Sequence, residues 1–176
     1  MITPLTLHDA VCDFLEEKVA SRFKLRQGTR KIHENKNYIN PKVKRSGWII
    51  SINHDGEGSE DEAYPYIMPR IHKVRNIENE RESIVILDVH FGVFDPGVYE
   101  DDEKGSFVDD GSGYRDFWNL VEATRQAFFM QVIIDNKYRI IGDFFEAEMI
   151  EEQIYPYWEG YCRTKWHIVY PLPRLN

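Results

Sequence analysis

The sequence predicts a single α+β domain: a mostly antiparallel sheet packed against two main helices, with a long basic arm or loop and a long acidic loop. Three observations predict it. Two stretches repeat apolar residues at helical spacing, several later stretches alternate with a period of two, and opposite charges are segregated into different connecting segments. A chain of 176 residues has the length of one domain, so residues 1–176 are read as one core. A chain of this size buries roughly two thirds of its unfolded surface.

The first helix is expected from Thr6-Leu7-His8-Asp9, which fits a Ser/Thr-x-x-Asp/Glu start, and from Leu7, Val11, Phe14, Leu15, Val19 and Phe23, which recur on one stripe. After it, "KLRQGTRKIHENKNYINPKVKRSG" keeps no period and contains Gly28 and Pro41, so residues 24–46 read as an extended arm or loop. Trp48 to Ile52 alternates as a strand and ends in the polar turn "NHDGEGSEDE". "YIMPRIHKVRNI" is extended, and Pro69 within it removes a ladder donor and points to an edge or a bulge. "SIVILDVHFGVF" alternates through Val85, Leu87, Val89, Phe91 and Val93 and should pair antiparallel with it. Residues 95–113 form the acidic loop, with Asp109 to Gly113 as its pliable end. Phe117, Leu120, Val121, Thr124 and Phe128 then give a second helix, with Asp116 as a cap or first-turn acid. "YRIIGDFFEAEMI" and "YCRTKWHIVY" supply late strands, the second with Cys162, Thr164, Trp166, Ile168 and Tyr170 on one face and Arg163, Lys165 and His167 on the other.

Composition narrows the function classes. Forty-two per cent hydrophobic residues argue against wholesale disorder, and no apolar run approaches the roughly 20 residues that cross a bilayer, so no membrane partner is expected. The N-terminus lacks an uninterrupted apolar h-region, because His8, Asp9, Asp13 and Glu16 break it, so no secretion signal is read there. Cys12 and Cys162 stand far apart in no ligand spacing, which suggests buried, reduced thiols in an intracellular chain. The net charge is −8, yet Lys24 to Arg45 holds eight Lys/Arg against Glu34, a local +7 that leaves −15 for the remainder. Overall acidity disfavours a DNA-coating protein, while the basic segment can meet nucleic acid or an acidic protein surface.

Candidate chemistry is thin. "DDGSGYRD" sets oxygen ligands at near-alternate positions but lacks the order that closes a calcium loop, and its glycines match no phosphate-binding pattern. Asp88 and His90 share a strand face, and with His72 from a neighbouring strand they would make a metal cluster or a general base pair. Asp88, Glu146, Glu148 and Lys165 form a nuclease-like set on the same logic. Alternating polar residues on a half-exposed strand are ordinarily a solvated face. There is no nucleophile elbow, no Cys–His motif spacing and no HExxH. The Tyr155–Trp158 cluster with Tyr161 reads as core or subunit contact. The residues point to no catalytic group, no metal and no cofactor.

With these elements placed, the pattern "AYPYIMPRIHKVRN…SIVILDVHFGVFD…GSGYRDFWNLVEATRQAFF…YWEGYCRTKWHIVYPLP" resembles the tail terminator or tail-completion (neck) proteins of long-tailed bacteriophages and phage-tail-like particles. The shared features are the Pro-bearing strand with Pro69, Ile71, Val74 and Arg75, the apolar strand, the "GYRD" helix entrance and the final Trp-rich strand, from Tyr64 to Pro173. The segments 24–45 and 95–110 have no counterpart in that pattern. The resemblance implies a structural protein without enzymatic activity, assembled in a bacterial host cytoplasm and placed in the virion tail or neck. It implies a ring, commonly a hexamer, that meets the tail tube protein and the head connector or neck proteins, with DNA passing through unbound. On that reading Lys24, Arg26, Arg30, Lys31, Lys36, Lys42, Lys44 and Arg45 are candidate subunit or partner contacts. Glu100, Asp101, Asp102, Glu103, Asp109 and Asp110 are candidates to face the lumen or a neighbour. Two other classes stay open. One is a metal-dependent hydrolase or nuclease using Asp88, His90 and some of Asp109, Asp110, Glu146 and Glu148. The other is a nucleic-acid-binding accessory protein using the basic arm.

Overall fold

Helix α1 (Pro4–Lys18) begins three residues before the expected start, because Thr6 is the inner member of a capping box rather than the cap itself. The Thr3 hydroxyl accepts the Thr6 backbone N–H at 3.1 Å, the Thr6 hydroxyl accepts the Thr3 N–H at 2.9 Å, and Pro4 takes the first helical position. The expected stripe Leu7, Val11, Phe14, Leu15 and Val19 is buried. Phe23 lies beyond the helix, after a short 3₁₀ turn, and packs on the edge of the same core.

This computed structural model describes residues 2–28, 37–45, 64–77, 82–100 and 106–169. The expected strand Trp48–Ile52 and the polar turn after it lie outside the described residues. The basic arm contains short ladders: β1 (Leu25–Arg26) pairs antiparallel with β2 (Tyr38–Ile39), and β3 (Lys42–Val43) runs parallel to the start of β4 (Tyr66–Asn76). Its lack of sequence periodicity reflects strands of two residues, too short to show a period. The acidic loop is likewise not uniformly irregular, since β6 (Val98–Glu100) and β7 (Ser106–Val108) pair as a ribbon within it.

The main sheet adds β5 (Glu82–Phe94), β8 (Ile133–Ile134), β9 (Tyr138–Met149) and β10 (Tyr157–Val169), in the spatial order β3-β4-β5-β10-β9-β8. Every neighbouring pair except β3–β4 is antiparallel. Among the described residues β3 pairs with β4 only at Tyr66 and Ile67, short of Pro69, and the expected irregularity is present as a register shift between Ile71 and Lys73.

Helix α2 (Ser112–Met130) starts earlier than Tyr114, and Asp116 lies past its first turn rather than capping it. Its cap is Gly111 in the left-handed conformation, φ 76°. Asp109 accepts the Gly111 N–H at 2.8 Å and Asp110 accepts the Ser112 N–H at 2.9 Å, so Asp109 to Gly113 is a hydrogen-bonded helix start and not a pliable end. Both helices cover one face of the sheet. Phe14 of α1 stacks on Phe128 of α2 at 5.6 Å, Phe128 meets Trp166 of β10 edge-on at 5.3 Å, and Phe117 meets Phe91 of β5 at 6.3 Å. Each such fully buried side chain contributes about 1.5–3 kcal/mol. The Trp166 indole N–H, buried with it, donates to the Thr164 hydroxyl at 2.9 Å, which donates to the Leu87 carbonyl at 3.2 Å.

Candidate interaction surface

On β5 and β10 the residues that alternate with the core point away from the helices, onto a face that no described helix covers. Register makes this face a set of rows. Arg70 of β4 lies opposite Asp88 of β5, Asp88 opposite Arg163 of β10, and Arg163 opposite Glu146 of β9. The row alternates plus, minus, plus, minus across four strands. The next row is Met68, His90, Tyr161 and Glu148, in which the His90 and Tyr161 rings lie 5.5 Å apart and the Tyr161 hydroxyl donates to Glu148.

The centre of the first row is locked. The Arg163 guanidinium donates to both oxygens of Asp88, at 2.7 and 2.9 Å, a bidentate pair with the carboxylate buried. His72, displaced onto this face by the β4 bulge, adds Nδ1 at 3.1 Å from Asp88. The structure thus brings together His72, Asp88 and His90 on one face, as the residues suggested. Yet the carboxylate that a metal or a substrate proton needs is already committed to a cation, and among the described residues no group of three His, Cys, Asp or Glu is placed to hold a metal ion. Burial is the main cause that lowers the His90 pKa, helped by Arg70 and Arg163 and opposed by Asp88. Lys165 rests over the Phe144 ring at 3.6 Å instead of approaching a carboxylate. The pairing of Asp88 with Arg163 was not read from the sequence. Alternation shows that both point the same way, but only the β5–β10 register makes them neighbours.

Beside these rows lies a buried polar cluster that the sequence reading missed. Glu159 accepts from the Tyr64 hydroxyl at 2.5 Å and the Tyr66 hydroxyl at 2.9 Å. Burial first, and then the Glu159 charge, pushes both phenols well above their ordinary range. Lys44 of the basic arm closes over the Tyr66 ring at 4.6 Å, and burial lowers its pKa. The spacing Tyr64-x-Tyr66, two aromatic hydroxyls one residue apart at the entrance to β4, is the signal that was available.

The other basic residues fare unevenly as interface candidates. Arg26 is buried, with a guanidinium nitrogen 3.8 Å from Asp95 and 3.3 Å from the Gly97 carbonyl, and it packs on Phe107 at 5.6 Å. It ties the basic arm to the acidic loop inside one chain. Lys24 is exposed and donates to Asn40 at 2.6 Å, Lys42 is exposed on β3, and Arg45 pairs with Asp13 and Asp9 of α1. Arg30, Lys31 and Lys36 lie outside the described residues. Of the acidic candidates, Glu100 is exposed on β6, Asp109 and Asp110 start α2, and Asp101, Asp102 and Glu103 lie outside the described residues. Hydrogen bonds from Ser112 hold the Asp110 carboxyl below its ordinary pKa. No family model and no curated protein matches the chain.

Proposed function

We propose that this protein is a structural virion assembly component that forms a ring closing the end of a phage or phage-like tail and joins it to the head connector or neck. The observation that supports the reading best is a sheet with one face packed on two helices and the other carrying rows of charge whose central carboxylate is neutralised by Arg163. Such a face suits docking better than proton transfer, because its central acid is already held in a bidentate pair with Arg163. The segments that resemble tail-completion proteins, β4, β5, α2 and β10, are also the ones that build this sheet and its helical cover. In this role no cofactor takes part, and DNA passes through the ring.

Native mass spectrometry and negative-stain imaging of the full chain, alone and mixed with tail tubes of the same particle, test the proposal. Rings, or caps on tube ends, are the expected result. A monomer that ignores tube ends overturns it and returns weight to the metal-dependent and nucleic-acid readings. A flat calorimetric titration with divalent metal removes the first of these, and absence of salt-dependent DNA binding removes the second.

A further inference from the structure

We infer that successive copies join head to tail, the exposed acidic ribbon β6–β7 of one copy docking on a cationic and apolar patch of the next copy's outer sheet face. The inference rests on the ring-forming reading above and names the two surfaces that meet.

The receiving patch follows from register. Toward the start of β5 the outer face loses its alternation of sign. Lys73 of β4 lies opposite Ile86, and Ile86 lies opposite Lys165 of β10. One row further, Arg75 lies opposite Ile84, Ile84 opposite His167, and His167 opposite Arg139 of β9. Directly opposite residues share a face, so two neighbouring rows gather four Lys/Arg across four strands. The nearest acid among the described residues at that end of β5, Glu82, already lies 2.5 Å from His167. Lys73, Arg75 and Arg139 are exposed and make no side-chain hydrogen bond or ion pair among the described residues, and Lys165 rests on the Phe144 ring. Between the cations Ile84 and Ile86 are only half-buried, and Val169 at the margin is 49% exposed. Lys73 and Lys165 leave the sheet about 10 Å apart, two inter-strand spacings, which is within the range of unscreened repulsion in 0.1 M salt. In a chain of net charge −8 such a gathering of like charge is relieved by an anionic partner, and the isoleucines between the cations call for apolar groups on it.

The ribbon supplies both. Its pairs are Val98 with Val108, Tyr99 with Phe107 and Glu100 with Ser106, so alternation gives it two faces. One is pinned to its own chain, because Arg26 packs on Phe107 at 5.6 Å and donates to the Gly97 carbonyl at 3.3 Å. On the other, Val98, Glu100, Ser106 and Val108 are all exposed, the valines by 53% and 44%. Glu100 also heads an uninterrupted run of four acids in the sequence. Acid beside β-branched apolar groups on the ribbon thus matches cations beside isoleucines on the patch.

Position makes the match head to tail. The patch lies at Ile84 and Ile86, near the start of β5, while the ribbon follows the end of β5, where the Asp95 N–H donates to the Pro156 carbonyl at 3.0 Å. Ile84 and Phe94 stand ten residues apart on one strand, about 33 Å. Two different surfaces at opposite ends make a heterologous contact, the kind that closes into a ring by rotation.

Carbodiimide coupling, which joins a lysine amine to a carboxylate in contact with it, reads this contact. An equal mixture of unlabelled and ¹⁵N-labelled full chain under ring-forming conditions should give peptides that link Lys73 or Lys165 of one label to Glu100 of the other, with a covalent ladder that stops at the ring size. The patch variant Lys73→Glu, Arg75→Glu, Lys165→Glu should lose rings and ladder. So should the ribbon variant Glu100→Lys, Asp101→Lys, Asp102→Lys. Mixing the two variants should restore links between copies, because each then meets a partner of opposite charge, and recovery excludes misfolding as the cause of either loss. Rings that persist in both variants overturn the assignment of surfaces and leave the ring reading standing. Failure of the mixture to recover, while each variant keeps the wild-type urea midpoint, does the same. Wild-type protein with no rings, no tube caps and no mixed-label links overturns both. A chain that never oligomerises, and whose retention of duplex DNA is lost in the patch variant and kept in the ribbon variant, gives the patch to nucleic acid and also overturns the inference.

Discussion

Gly160→Ala should be among the most disruptive single-methyl additions in this protein. Gly160 lies on β10 between Phe91 of β5 and Met149 of β9. A Cβ built there meets the Glu148 carbonyl oxygen at 2.4 Å, Phe117 Cζ at 2.5 Å and Met149 Cα at 2.9 Å, whereas ordinary contact begins at 3.4 Å. Relief needs about 1 Å of movement from a β9 backbone segment and from a fully buried ring that is already edge-on to Phe91. Overpacking of this kind costs about 1–3 kcal/mol, and the upper end applies because two of the three blocking atoms are backbone. With a urea slope of about 2 kcal/mol/M, the unfolding midpoint should fall by about 1.5 M at unchanged slope. Gly142→Ala on β9 is the matched control: its nearest neighbour is Phe129 at 3.8 Å, so the midpoint should hold or rise slightly. A Gly160→Ala midpoint within about 0.2 M of wild type, or an equal fall in Gly142→Ala, refutes the reasoning.

Arg26→Ala should destabilise by about 3–5 kcal/mol in urea melts, because it strands the Asp95 carboxyl beside which it is buried, and Asp95→Asn in an Arg26→Met background should recover much of that loss. Burial already raises the Asp95 pKa, with the Gly97 N–H and Arg26 opposing. For His90 the folded-state pKa lies below the ordinary 6.5, so the unfolded chain takes up the proton first and stability falls as pH drops below about 6.5. His90→Gln should flatten the slope of midpoint against pH between about 7.5 and 5.5, and an unchanged slope would show that another group carries the linkage. Cys12, its thiol pushed up to about 11 by burial, and the fully buried Cys162 should both resist an aromatic disulfide reagent in the native protein and react together on unfolding.

What the sequence determined by itself was periodicity and its direct consequences. The stripes of α1 and α2, the inward set Val85 to Val93, and the two faces of β10 all follow from spacing, because period 3.6 or 2 assigns each residue to a face whatever lies beyond it. Local chemistry was legible too, though less sharply: Thr6 was recognised as a helix-start residue, but whether it or Thr3 holds the cap depends on which backbone N–H each hydroxyl meets. The tertiary structure decided which neighbours share a face. Asp88 and Arg163 stand 75 positions apart, and nothing in either strand's alternation says that β10 inserts between β5 and β9 or in which register. Arg26 reads as a surface cation in a basic arm, and only the fold turns it inward to Asp95. A hydrophobic pattern fixes the direction of a side chain through the chain's own geometry. Its partner is fixed by hydrogen-bond register across long connections, and that register is a property of the whole sheet.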